Sequence, residues 1–286
     1  MKTLMEMTAG YLREVISFCS QVGQLRAEGE KMRQILSLVP GRPSTEDKTV
    51  RIDQVCEDIF RNHLKKCPVR IKVLSEHGTF GDENPQYFCA LDPFDGSGIF
   101  RRGLAREFYS ALTFFDLRGE PVCGGTADIL QQSIYLASPQ GVVHISSEGV
   151  AVKVSASCKR KLDGEAVIAA YLMNRDYRRT WEKETRKLGD KFPGLLVWPN
   201  GGSCIYQYIA SGQVHAYVMF KEPRSEIDPG LAFAKFSPFP VVSVDKDGGL
   251  KRYRFEPEKQ SERVSFFIAA CTKELLRNII EVIRLP

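Results

Sequence analysis

A change of hydrophobic period at Pro68 constrains this chain more than any other feature. Upstream, Leu4, Met7, Leu12, Val15, Ile16 and Cys19 recur at helical spacing, so Met1 to Leu38 predicts one long helix or two short ones. Gly41, Pro43 and Ser44 mark a loop. Asp53 then predicts an N-cap, with Val55, Cys56, Ile59 and Phe60 on one face of the helix that follows. Beyond Pro68, Val69 to Ser75 alternates apolar and polar residues as a half-buried strand does, and Tyr87 to Leu91 is a short apolar run suited to a buried strand. Tyr109–Asp116, Val122–Asp128, Ser133–Ala137 and Val142–Ile145 predict further strands, with turn residues at Gly119-Glu120-Pro121 and at 138–141.

The second half alternates. Strands are predicted at Ala166–Ala170, Leu195–Trp198, Ala216–Phe220, Val241–Val244 and Val264–Ala269. Helices are predicted at Arg175–Leu188, at Cys204–Ala210 ending before Gly212, near Pro229–Ala234, and at Lys273–Ile283. The central block is therefore sheet-rich, and the alternation of strands and helices after it implies an α/β region with a sheet covered on its faces.

Composition narrows the function classes. At 286 residues the chain can bury a large core without disulfide staples. Its eight cysteines include no C-x-x-C pair, which argues against a zinc knuckle or a secreted framework and for reduced thiols in the cytoplasm. Glu6, Arg13 and Glu14 interrupt any leader-like apolar run, and no segment approaches the roughly 20 apolar residues of a membrane span. A scattered net charge of +5 suits a small anionic substrate and gives no sign of nucleic-acid binding.

The chemistry concentrates at Leu91-Asp92-Pro93-Phe94-Asp95-Gly96-Ser97-Gly98. An apolar strand runs directly into two aspartates three apart. Pro93 stiffens the turn, and Gly96 and Gly98 permit tight backbone geometry. Crowded carboxylates are costly unless a cation neutralises them, and hard oxygen donors favour magnesium. A helix beginning after Gly96 would aim free N–H groups at the same place. Glu76 closes the preceding strand, and Glu226-Ile227-Asp228 supplies a third acidic element ahead of Pro229. Arg101 and Arg102 suit either steering of an anionic substrate or a solubilised strand edge. The Arg175–Lys191 segment, with acids interspersed, suits a solvated helix face.

The stretch CALDPFDGSGIF resembles the D-P-x-D-G-[ST] signature of the inositol monophosphatase and fructose-1,6-bisphosphatase superfamily. LSEHG resembles its upstream glutamate motif, GRPSTEDKTVRIDQ its N-terminal loop and helix, GGSCIYQYIASGQVHAY its glycine–serine helix and strand, and SEIDPGLAFA its downstream aspartate motif. The resemblance runs from about Arg42 to the C-terminal helix. It implies a layered, alternating α-β-α-β-α sandwich of the sugar phosphatase type, with an N-terminal α+β half (1–150) and a C-terminal α/β half (151–286). It implies two or three Mg2+ ions, with Mn2+ as a substitute, held by Glu76, Asp92, the Phe94 carbonyl, Asp95 and Asp228. Glu76, Ser97 and Asp95 would be catalytic, with Glu76 and Ser97 activating water, and the Gly96 and Ser97 N–H groups would hold phosphate. Asp47, Asp53 and His77 would be peripheral. Lithium sensitivity and a homodimer are further expectations of the resemblance.

Several positions depart from that pattern. His77 stands in place of a second glutamate, Ile227 in place of a tryptophan, and no acid occupies Met219 to Lys221. Lys221 and Arg224 would then meet a second anionic group on the substrate, with Ser203 nearby. The expected function is hydrolysis of a phosphate monoester of a small sugar, polyol or nucleotide, with a sugar bisphosphatase as the alternative. A weakly catalytic relative acting by binding is the alternative of another class.

Overall fold

The computed structural model describes residues 1–24, 26–39, 48–104, 108–155, 161–244 and 249–283, with the side chains of 22–28 undescribed. Asp47, Arg42 and Cys158 lie outside these residues. The chain begins α1 (Lys2–Gln24), α2 (Arg26–Met32), β1 (Ile35–Leu38), β2 (Lys48–Val50), α3 (Arg51–Lys66), β3 (Ile71–Ser75), β4 (Gly78–Gly81), β5 (Tyr87–Asp95) and α4 (Ser97–Phe100). It continues β6 (Tyr109–Phe115), β7 (Pro121–Asp128), β8 (Ser133–Ser138), β9 (Gly141–Ile145) and β10 (Ala151–Lys153). The remainder is β11 (Val167–Ala169), α5 (Arg175–Lys191), β12 (Leu196–Trp198), α6 (Ile205–Ser211), β13 (Ala216–Pro223), α7 (Arg224–Ile227), a 3-10 turn (Asp228–Gly230), α8 (Leu231–Phe236), β14 (Val241–Val244), β15 (Leu250–Arg252), β16 (Arg263–Ala270) and α9 (Lys273–Ile283), with a second 3-10 turn at Pro257–Lys259.

Leu4, Met7, Tyr11, Leu12, Val15 and Ile16 are all buried, so the helical stripe of α1 lies against the sheet. That sheet has eight strands in the order β10-β9-β8-β7-β6-β5-β3-β4. A second sheet has six, in the order β12-β11-β13-β16-β14-β15. Two adjacent glycines of β7 show how the layers stack. A side chain on Gly124 would strike Ala232 of α8, whereas one on Gly125 would strike Leu12 of α1. Successive strand residues face opposite sides, so α1 and α8 cover opposite faces of the large sheet. The small sheet lies beyond α6 and α8. On its outer side α5 and α9 pack together, and the Trp181 indole N–H donates to the Val218 carbonyl of β13 (3.1 Å). The result is the expected α-β-α-β-α sandwich. Leu12 is fully buried, and Leu12→Ala is expected to cost about 2–5 kcal/mol, read from the shift of a urea unfolding midpoint at constant m.

The differences from the sequence reading are local. Residues 35–38 form an exposed strand paired with β2 rather than the end of a helix. Asp53 is not the N-cap of α3. Val50 holds that position, and Asp53, in the first turn, accepts the Val50 N–H at 2.5 Å. Strands β4, β10 and β15, too short and exposed to carry a period, were not predicted. The seven described cysteines are free thiols.

Candidate metal centre

Strands β3 and β5 pair in parallel with Ser75 opposite Leu91, and the Glu76 N–H donates to the Leu91 carbonyl at 3.2 Å. Glu76 and Asp92, each one residue further on, therefore leave neighbouring strand ends together. Opposite β6, Asp92 pairs with Ala111 and Asp95 with Tyr109, so three steps on β5 span two on β6. One extra residue at Pro93–Phe94 makes a bulge. In a regular strand, residues three apart face opposite sides. The bulge returns Asp95 to the side of Asp92. Phe94 is buried against Phe108 (5.4 Å, stacked) and edge-on to Phe100, which anchors the bulge. Gly96, at φ +97°, turns the chain into the single-turn helix α4.

Carboxylate oxygens of Asp92, Asp95 and Glu226 lie within 4.8 Å of one another. Asp92 is 1% exposed, and its Oδ1 has no hydrogen-bond partner among the described residues. Burial first, and then the charges of Asp95, Glu226, Glu76 and Asp53, push its carboxyl well above the usual carboxylate range. A buried carboxylate that lacks a donor and faces several like charges is stable as an anion only beside a cation. The donor set is all hard oxygen, which fits Mg2+ or Mn2+. The trio opens into a cleft of about 810 Å3, also lined by Glu76, Phe94, Gly96 and Ser97.

Of the Glu226-Ile227-Asp228 element the sequence reading took Asp228 as the ligand; the structure brings Glu226 into the cluster and sets Asp228 apart from it. Glu226 and Asp228 are two residues apart on helical backbone, about 200° around the axis, so they face opposite ways. Asp228 does not line the cleft. It is 1% exposed and accepts the Tyr253 O–H at 2.7 Å. Burial pushes its carboxyl up to about 7, against the opposing pull of Tyr253 and Arg224. Arg224 also turns inward. Its guanidinium donates to the Arg254 carbonyl and to Glu256 (3.0 Å each) and sits 4.9 Å over the Tyr253 ring. It is therefore committed to a buried network and does not line the cleft. Lys221, exposed with φ +58°, does not line it either.

Ser203 is buried outside the cleft, where its hydroxyl donates to the Glu226 carbonyl (2.8 Å) and so holds the ligand-bearing turn. His77 sits behind Glu76. Its Nδ1 is 3.0 Å from Thr49 Oγ1, and its Nε2 is 3.9 Å from both Asp53 and Glu76. Two further elements reach the cleft without having been foreseen. Glu222 lines it and accepts the Tyr217 O–H at 2.5 Å, while Tyr217 Oη accepts the Gly202 N–H at 3.0 Å. The start of α5, with Arg175 and Arg178, joins Arg101, Arg102 and Lys48 in a basic lip. The exposed helix face expected there accounts for the rest of α5 but not for its first turn.

Two sheets interleaved with helical layers, with a carboxylate cluster at a bulged strand end, make a layered α-β-α-β-α sandwich. The chain has the inositol monophosphatase fold. It is similar to the extragenic suppressor protein SuhB of Bartonella henselae (17% identity, 98% of this chain and 97% of that one, TM-score 0.72). It is also similar to the inositol monophosphatase of Thermotoga maritima (17%, 96% and 94%, TM-score 0.69). A third similar structure is an inositol monophosphatase-II solved with inositol monophosphate bound (14%, 97% and 92%, TM-score 0.70). No family model matches the sequence, and no curated protein matches it. The resemblance read from the motifs therefore holds at the level of fold. Among the described residues, no helix is long and apolar enough to cross a membrane.

Proposed function

We propose that this protein is a divalent-metal-dependent phosphatase that hydrolyses the monoester of a small phosphorylated sugar, polyol or nucleotide. The observation that carries the reading is Asp92, buried beside Asp95 and Glu226 at the floor of an open cleft, its Oδ1 without a hydrogen-bond partner among the described residues. Asp92, Asp95, Glu226 and Glu76 would hold the cation, Mg2+ or Mn2+. When bound, such a cation supplies Lewis acidity and neutralises phosphate charge. Glu76 accepts the proton of the attacking water, and the Ser97 hydroxyl orients that water. The Gly96 and Ser97 N–H groups, at the start of α4, face the phosphate oxygens. The basic lip draws the anionic substrate toward an otherwise acidic floor.

That lip also favours a second reading, a sugar bisphosphatase, since Arg175 and Arg178 would take over the role expected of Lys221 and Arg224 in meeting a second phosphate. A homodimer, a cytoplasmic location and lithium sensitivity belong to the same proposal. The test is phosphate release from inositol phosphates, fructose-1,6-bisphosphate, nucleoside bisphosphates and a chromogenic ester, with Mg2+ and after chelation. Turnover that disappears on chelation and returns with Mg2+ is expected. Folded protein that binds Mg2+ yet turns over none of the panel would replace the phosphatase with a binding role.

A further inference from the structure

A second cavity, of about 860 Å3, shares no lining residue with the cleft. It lies between the end of α8, the segment leading into β14, the chain after β15, and the first turns of α9. Its volume falls within the range of sites that enclose small organic ligands. Phe239, Val241, Phe255 and Leu276 give it an apolar interior, with Pro238 and Pro240 along one wall. Five cationic residues line it, Lys235, Arg252, Arg254, Lys273 and Arg277, against one acid, Glu120. Glu120 is held by Lys235 at 2.7 Å and kept below the usual carboxylate range by that contact. An apolar chamber with an excess of cations complements a ligand that has one apolar end and one anionic end.

The interior also discriminates among such ligands. Phe255 is stacked on Phe115, with centroids 3.9 Å apart and planes at 9°, and Phe239 is buried against Tyr206. Stacking on Phe115 occupies one face of Phe255, which leaves less of that ring free to stack a base. The Tyr253 hydroxyl is committed to Asp228, which removes a polar group that a sugar would need. We propose that this cavity binds a medium-chain fatty carboxylate, with its alkyl chain among Val241, Phe239 and Leu276 and its head among Arg252, Arg254 and Arg277. The site is separate from the proposed phosphatase chemistry and does not depend on it.

The test is calorimetric titration of the full chain with octanoate, decanoate and dodecanoate. Saturable one-to-one binding is expected, tightening about three- to fourfold per added methylene until the chamber is full. Val242→Trp, at a partly exposed lining position, is expected to block binding. Arg254→Glu combined with Arg277→Glu is expected to weaken it at least tenfold, with circular dichroism reporting that both proteins remain folded. Asp95→Asn is expected to bind decanoate like the parent, which separates this site from the metal centre. Non-saturable uptake, affinity independent of chain length, or wild-type affinity in folded Val242→Trp protein would overturn the proposal. Inorganic phosphate binding there as tightly as decanoate would also overturn it.

Discussion

Glu226→Gln and Asp95→Asn are each expected to lower divalent-metal affinity and, on the proposed phosphatase reading, phosphate release by at least about a hundredfold, whereas Asp228→Asn is expected to leave both within about tenfold of the parent. The contrast follows from geometry. Asp95 and Glu226 place carboxylate oxygens within 4.8 Å of Asp92, and each contributes charge to a floor where a cation would sit. Replacing either by its amide keeps the shape and removes a unit of charge and a hard donor. Asp228 faces the other way, and an asparagine there still accepts the Tyr253 hydroxyl. Calorimetric Mg2+ titration of the three variants, alongside phosphate release, reads both quantities. Loss of metal binding in Asp228→Asn together with its retention in Glu226→Gln would reverse the assignment.

Gly202→Ala has the second large effect. Gly202 adopts φ +92°, a region that side chains rarely enter, and its N–H is tied to Tyr217 Oη. A methyl group there would lie 2.6 Å from Asp95 Oδ2 and 3.3 Å from Glu226 Oε2. Displacing Asp95 would also break the hydrogen bond that its Oδ2 accepts from the Cys204 thiol at 3.3 Å. The substitution is expected to cost about 1–3 kcal/mol of stability and to weaken metal binding at least tenfold. Gly149→Ala provides the control. It has a similar positive φ of +80° with nothing within 4 Å, so it carries the backbone strain alone, about 1 kcal/mol, and leaves metal binding unchanged. Equal metal affinity in Gly202→Ala and the parent would mean that the floor tolerates displacement of Asp95.

Local features of the site were legible in the sequence because their physics is local. Asp92-Pro93-Phe94-Asp95-Gly96 announces a stiff acidic turn at the end of an apolar strand, and the bulge that aligns the two aspartates lies inside that run. Glu76 was legible as a strand-end acid, although only the parallel register of β3 and β5 puts it beside Asp92. The choice between Glu226 and Asp228 was not legible. Both acids flank Ile227, and which one faces the cleft depends on how α7 docks. Burial of Ile227 and the hydrogen bond from Ser203 to the Glu226 carbonyl fix that docking. Arg224 looked like a substrate contact until partners about 30 residues onward, Tyr253 and Glu256, drew it inward. The first turn of α5 entered the cleft by the same kind of long-range placement.

Hydrophobic period and turn chemistry by themselves determined most of the strands and helices of this protein and the aspartate turn, since these arise from interactions between near neighbours along the chain, while the layering was implied by the family resemblance of the motifs. The tertiary structure decided which distant acid completes the cluster, which cations ring the cleft, and where the second cavity lies. Those outcomes depend on which face each short element buries, and that is settled only when the two sheets pack together.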